Sequence, residues 1–227
     1  MRPKKQNWTS KILNQDYHFK LHYKENERFK INNLFTNFNN SIVLEIGHGK
    51  GHFLLNSAYL QPNINFLGIE KNQIIFAYAL RNIAEFEKKH NHHFLNLKIL
   101  NIDAFSLPNC FDKNFFDTII LNFPDPWFKK RHQKRRLTSW KFIFIYEQIL
   151  KNNHCLILKT DQEDLWNFSS LNFQERNWKV IEKLKVLNQK QSQFHLVPTN
   201  YQNKLNLKYY FYLKVQLNLK NEDLHQK

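Results

Sequence analysis

The chain has 227 residues, of which 42% are hydrophobic, and carries 34 Lys+Arg against 19 Asp+Glu for a formal net charge of +15. That length and apolar share suit one α/β domain with a sizeable core and short extensions, and no apolar run approaches the ~18 residues of a membrane span. No fold requires the cationic excess, which brings self-repulsion, so a polyanionic partner is implied: nucleic acid first, an anionic membrane surface second.

Residues 1–23 mix Lys, Asn, Gln and aromatics without a clear period and read as a mobile basic arm. A helix is expected from about Asn26 to Asn39. Ser41 to Ile46 is a short β-branched run ending at glycines, a buried-strand pattern. Gly51 to Leu60 reads as a helix and Ile64 to Ile69 as a second strand. From Lys71 to about Lys89, Ile75, Tyr78, Ala79, Ile83 and Phe86 fall at helical spacing. Leu97–Leu100, Phe116–Leu121 and Cys155–Lys159 read as further strands. Leu137–Leu150 and Gln162 to about Phe173 read as helices, and two late strands lie near Trp178–Leu187 and Lys208–Leu217. Strands alternating with helices imply a mostly parallel sheet covered on both faces, with a ligand site beyond the carboxyl ends of the strands. The expectation is one domain over residues 24–220 and a frayed tail over 221–227.

The motifs fall at those strand ends. The first strand runs into Glu45-Ile-Gly47-His-Gly49-Lys-Gly51, where three alternate glycines let backbone turn sharply beside a ligand and the next helix presents its N–H groups. The spacing is neither the GxGxxG dinucleotide fingerprint nor a phosphate-binding P-loop. Glu70 ends the second strand, 19 positions beyond Gly51, where a carboxylate can accept from a ribose diol. Asp103 ends the third strand; it can accept from an adenine amino group or, the better reading for it alone, cap a helix. The fourth strand ends in Asn122-Phe-Pro-Asp-Pro-Trp127, in which two prolines fix the direction of Asp125. Six of the next eight residues, Lys129 to Arg136, are cationic, suited to phosphate contact beside a stacking tryptophan. Asp161 ends the fifth strand.

The string Asn122-Phe-Pro-Asp-Pro-Trp-Phe-Lys-Lys-Arg-His-Gln-Lys-Arg-Arg136 closely resembles the hallmark of the bacterial tRNA (guanine-N7)-methyltransferases. Glu45–Gly51, Gly68-Ile-Glu70, Asn101-Ile-Asp-Ala104, Lys159-Thr-Asp161 and Thr199-Asn-Tyr-Gln202 match the family's other motifs in order and spacing. The resemblance implies a Rossmann-like class I methyltransferase fold, a seven-stranded, mostly parallel sheet with one reversed strand. It implies S-adenosyl-L-methionine as methyl donor and guanine 46 of the tRNA variable loop as target. Carried over by motif, Glu45, Gly47, Gly49, Gly51, Glu70, Asp103 and Asp125 serve the cofactor, and Asp125 also acts in catalysis. Lys129, Asp161, Thr199, Asn200, Tyr201 and Gln202 contact the substrate, and Lys130, Arg131 and Lys134 grip the tRNA backbone. Two positions depart from the family: Phe128 where it usually has Pro, and Gln202 where it usually has Glu, which keeps an acceptor but loses the charge. Gln202 keeps open a tRNA-binding module without catalysis. An amino-methyltransferase of DNA or protein is the other alternative, but its Pro-Pro-aromatic order and lack of a basic run differ from Pro124-Asp-Pro-Trp127.

Cys110 and Cys155 form no CxxC pair or disulfide framework, which points to a reducing compartment, and the basic N-terminus lacks the apolar core of a signal peptide. A cytoplasmic address is expected, with no membrane partner. His90, His92 and His93 fit no zinc spacing and have no nearby Cys, so they read as a polar loop and no metal is expected. The sequence leaves monomer and homodimer open.

Overall fold

The computed structural model describes residues 6–25, 27–187 and 207–218. In chain order the elements are α1 (Asn7–Leu13), β1 (Lys20–Leu21), α2 (Ile31–Leu34), β2 (Ile42–Ile46), α3 (His52–Leu60), β3 (Asn65–Ile69), α4 (Gln73–His90) and β4 (Leu97–Leu100). There follow α5 (Leu107–Cys110), β5 (Phe116–Asn122), α6 (Trp140–Ile149), β6 (Leu150–Thr160), α7 (Glu163–Glu175), β7 (Lys179–Leu187) and β8 (Tyr209–Gln216), with 3₁₀ turns at Ala104–Ser106 and Lys130–Arg135.

The strands order as β1-β4-β3-β2-β5-β6-β8-β7. All pairings are parallel except those of β8, which runs against both β6 and β7. This is the expected α/β architecture with one reversed strand. The described residues form eight strands rather than seven, because Lys20–Leu21 pair with Ile99–Leu100 and extend the sheet at its β4 edge.

β2 and β3 are buried along their whole length, as strands covered on both faces must be. Their side chains alternate between two cores. Ile42, Leu44 and Ile46 pack with Leu107, Phe142, Ile143 and Phe173 under α5, α6 and α7. Val43 packs with Phe53, Leu54, Phe76 and Ala79 under α3 and α4. α4 begins at Asn72, whose side chain accepts from the Ile74 and Ile75 N–H groups, and ends at Asn91 in the left-handed conformation.

Two expectations are corrected in the N-terminal region. From residue 6 the basic segment is folded: α1 lies on α4, with the Trp8 and Tyr78 rings edge to face at 4.8 Å and the Arg81 guanidinium 5.0 Å from the Trp8 ring. Phe19 is fully buried. A few aromatic side chains dock pieces too short to show any period. The helix expected over Asn26–Asn39 is a single turn, Ile31–Leu34, because Leu34 and Phe35 turn into the core and the chain extends at Phe35. The Asn-rich residues after it favour turns over helix.

Candidate active site

Parallel register carries several chemistry-bearing residues to one edge. Glu45 in β2 is aligned with Gly68 in β3 and Ile120 in β5, and Asn122 at the end of β5 is aligned with Lys159 in β6. The segments following β2, β3, β4, β5 and β6 therefore all leave the sheet at its carboxyl edge, where Glu45, Glu70, Asp103, Asp125 and Asp161 stand.

Glu45 is 2% exposed. Its Oε1 accepts from the Asn122 side-chain amide at 2.7 Å. Its Oε2 and Asn122 Oδ1 are buried with no hydrogen-bond partner among the described residues. Burial pushes the Glu45 carboxyl up to about 7, against the pull of the Asn122 hydrogen bond and the Lys159 charge. Burial likewise lowers the Lys159 ammonium to about 7, opposed by Glu45. Lys159 Nζ lies 5.1 Å from the Phe53 ring centroid.

The glycine loop leaves β2 with φ of 76°, 58° and 77° at Gly47, Gly49 and Gly51, a left-handed path that side chains disfavour. A Cβ at Gly47 or Gly49 would meet nothing within 4 Å, so the space beside both is open. The Gly47 and His48 N–H groups donate to the Ile69 carbonyl at 2.8 and 3.1 Å, locking the loop onto β3. Between the glycines, His48 is 5% exposed, and burial lowers its imidazole to about 4, so it is neutral at pH 7. It lies against Gly68, where an added Cβ would stand 2.1 Å from Leu54 Cδ1 and 2.8 Å from His48 Cδ2.

Glu70 accepts from the Asn72 N–H at 2.8 Å and the Gly49 N–H at 3.3 Å, one on each carboxylate oxygen. These bonds tie the acid to the start of α4 and to the glycine loop, and burial raises its carboxyl above the usual range. Asp103 caps the short 3₁₀ turn by accepting from the Phe105 N–H at 3.0 Å, while its other oxygen lies 3.9 Å from Lys71 Nζ. The capping reading of Asp103 is thus observed, and its second oxygen stands by the Lys71 ammonium.

Asp125 is exposed. Its loop is bounded by two residues with left-handed φ, Phe123 at 48° and Trp127 at 45°, an uncommon backbone for bulky side chains. The Phe123 N–H donates to the Lys159 carbonyl at 2.8 Å. Fully buried Arg136 holds the far side: its Nε donates to the Pro126 carbonyl at 2.7 Å, its guanidinium pairs with Asp164, and it lies 4.5 Å from the Phe168 ring. Lys129, Lys130, Arg131 and Lys134 are exposed on and beside the 3₁₀ turn. The cationic run therefore divides: these four face solvent, Arg135 lies 5.1 Å from the Trp127 ring, and Arg136 is structural.

Asp161 follows β6 at the same edge. Thr199, Asn200, Tyr201 and Gln202 lie outside the described residues; the strands flanking them pair Leu187 with Tyr209 at the carboxyl edge. Three features are not foreseen from the sequence: the meeting of Glu45, Asn122 and Lys159, the burial of His48 and the bracing by Arg136. Lys159 and Asn122 sit inside recognisable motifs, but it takes the β2–β5 and β5–β6 registers together to place them beside Glu45.

Comparisons with known proteins bear on the fold and the family. Residues 39–210 match the family model described as "Putative methyltransferase". The chain is 38% identical over 209 residues to the tRNA (guanine-N(7)-)-methyltransferase of Mycoplasma capricolum, covering 91% of this chain and 94% of that one. It is 36% identical over 182 residues to the enzyme of the same name from Oceanobacillus iheyensis, covering 80% and 82%. Among solved structures it is similar to the 16S rRNA methyltransferase KamB, with TM-score 0.61 and 11% identity over 83% of this chain and 91% of that one. It is also similar to a SAM-dependent methyltransferase from Aquifex aeolicus, with TM-score 0.54 and 16% identity over 78% and 82%. At such identities the structural likeness concerns the fold alone, and it is the fold of class I methyltransferases. The sequence relatives go further: the chain belongs to the tRNA (guanine-N7)-methyltransferase family.

Proposed function

We propose that the chain transfers a methyl group from S-adenosyl-L-methionine to N7 of guanine 46 in the variable loop of tRNA. The observation that carries this reading is the row of acids along one sheet edge, adjoining a solvent-facing cationic turn.

Two features test whether the residues suit the cofactor. The space beside Gly47 and Gly49 is open, so a ligand can lie against the loop backbone. Glu45 Oε2 and Asn122 Oδ1 are buried acceptors with no partner among the described residues. Both fit a polar, cationic ligand. Glu70, oriented by two backbone N–H groups, suits the ribose diol, and Glu45, Asp103 and the loop glycines suit the rest of the molecule. When bound, S-adenosyl-L-methionine supplies an electrophilic methyl group on a sulfonium.

Guanine N7 has a lone pair and no proton, so the protein needs no general base. Its task is to align N7 and exclude water. Asp125 and Asp161 accept from the guanine N1–H and 2-amino group, a donor pair that adenine lacks. Their fixed negative charge also favours the positive charge that develops on the purine. Lys129 and residues 199–202 contact the substrate, and Lys130, Arg131 and Lys134 hold phosphates. The deciding experiment incubates the protein with labelled methyl donor and unmodified tRNA and maps the product. N7-methylguanosine at position 46 is expected. Label in duplex DNA or protein but not in tRNA refutes the reading, as does cofactor binding without transfer.

A further inference from the structure

One cluster of ligating side chains lies away from the reaction edge. His18, Glu87 and His93 meet at the opposite edge of the sheet, beside the start of β4. The backbone brings them together by local rules. α4 ends at Asn91, whose left-handed φ of 46° turns the chain back, and the His92 N–H donates to the Glu87 carbonyl at 3.0 Å. His93 is thereby returned over the last turn of the helix. The Phe94 N–H donates to Glu87 Oε1 at 2.8 Å and fixes that carboxylate. His18 arrives from the other end of the chain: the Ile99 N–H donates to the Phe19 carbonyl at 2.8 Å, and Lys98 Nζ donates to the His18 carbonyl at 2.6 Å.

His18 Nε2 lies 2.9 Å from Glu87 Oε1, and His93 Nδ1 lies 3.9 Å from the same oxygen. All three ligand atoms lie within 4.8 Å of one another. Around a tetrahedral zinc with bonds of ~2.0–2.2 Å, neighbouring ligand atoms stand roughly 3.3–3.5 Å apart. The two separations from Glu87 bracket that spacing. Two imidazoles and one carboxylate suit zinc and its neighbours in the first transition row, whereas magnesium and calcium prefer oxygen alone.

We propose that His18, Glu87 and His93 form a site for one divalent transition metal ion, zinc foremost, which staples the N-terminal segment to the end of α4. The two imidazole rings stack at 3.7 Å with 28° between their planes, so one must turn for both lone pairs to meet a single ion. His93, 62% exposed, has the room to do so. The ion takes the place of the Nε2 proton between His18 and Glu87; that proton passes through solvent to His18 Nδ1, so a neutral imidazole and a carboxylate hold the ion, and water completes the shell. Phe94 N–H and the Lys98 bond to the His18 carbonyl act as outer supports that hold two of the ligands in place. The expectation of no metal rests on residues 90–93 by themselves; His18 stands 75 positions before His93, and no local spacing reveals it.

The site is far along the fold from the methyl-transfer edge, so the readout is binding rather than activity. The metal-free full-length protein is titrated with zinc chloride by calorimetry and melted with and without zinc. One zinc per chain is expected, with a rise in Tm. His18→Ala and His93→Ala should each weaken binding at least ~10-fold and remove the zinc-dependent rise. A His90→Ala/His92→Ala double variant should bind as wild type does. His93 is surface-exposed, so its variant folds, which its zinc-free melting curve verifies. An unchanged isotherm in His93→Ala, or no saturable zinc binding by the wild type, overturns the proposal and leaves the trio a hydrogen-bonded latch.

Discussion

Replacing Gly68 by alanine adds one methyl group where the structure has no space for it. The new Cβ would stand 2.1 Å from Leu54 Cδ1 and 2.8 Å from His48 Cδ2, both far inside van der Waals distance. Leu54 is fully buried and His48 5% exposed, so neither can swing into solvent. Overpacking of this kind costs about 1–3 kcal/mol, and two simultaneous clashes place this case in the upper half. For a chain of this length each kcal/mol lowers Tm by roughly 2–4 °C, so a fall of roughly 4–12 °C is expected. His48 belongs to the glycine loop, so its displacement should also weaken S-adenosylhomocysteine binding. Thermal melts with and without that ligand read both effects. Leu54→Ala removes the nearer obstacle; alone it should cost ~2–5 kcal/mol through the void it leaves. In the double variant the methyl group added at position 68 enters that void, so the combined loss should fall short of additivity by at least about 1 kcal/mol. A Gly68→Ala protein that melts and binds like wild type, or a strictly additive double variant, refutes the packing argument.

Asp125→Ala should abolish methyl transfer and leave Tm unchanged, since the side chain is exposed; wild-type turnover removes Asp125 from the mechanism. Neutralising Lys129, Lys130 and Arg131 together should weaken tRNA binding and flatten its dependence on salt, by roughly one counterion for each phosphate no longer neutralised. An unchanged salt slope places the RNA elsewhere. Arg136→Ala should cost about 1–3 kcal/mol through the missing bond to Pro126 and lower turnover by loosening the Asp125 loop. Arg136→Lys should not restore turnover, because an ammonium cannot span Pro126, Asp164 and Phe168 together; full rescue by lysine denies Arg136 its bracing role. The Glu45–Lys159 pair predicts a stability minimum near neutrality in the ligand-free protein. Folded Glu45 keeps a proton that the unfolded chain sheds, so its contribution is complete below pH 4.5 and lost as the pH rises to about 7. Folded Lys159 sheds a proton that the unfolded chain keeps, so its contribution is complete above pH 10.5 and lost as the pH falls to about 7. Urea unfolding across pH 4–10 should show the acid limb in wild type but not in Glu45→Gln; parallel limbs contradict the assignment.

The parallel strands are legible because burial on both faces leaves a simple mark: Ile42–Ile46 and Leu97–Leu100 are short runs, apolar but for Glu45 and Lys98, closed by polar or glycine residues. The edge acids follow from topology, since each parallel strand must deliver its last residue to the same side. What the sequence conceals depends on contacts between distant segments. Arg136 lies in a cationic run and looks like its neighbours, yet it alone is buried, because the chain passes under Phe168 and Asp164 at that point. The docking of α1 has no periodic sign either, since a seven-residue helix held by Trp8 is too short to show one. Helical pattern misleads over Asn26–Asn39, where apolar residues suit a helix but serve as anchors for an extended chain.

The two margins of the sheet differ in a way that bears on how copies of the chain meet. Among the described residues, one margin is closed by the two residues of β1, too short to template a neighbouring strand. The other is β7, nine residues long, with Lys179, Lys183 and Lys185 exposed along it. A second molecule approaching in register there would bring ammonium groups against ammonium groups. Growth of the sheet from chain to chain is thereby discouraged at both ends, which matters for a protein whose interior is so rich in β-forming aromatic residues.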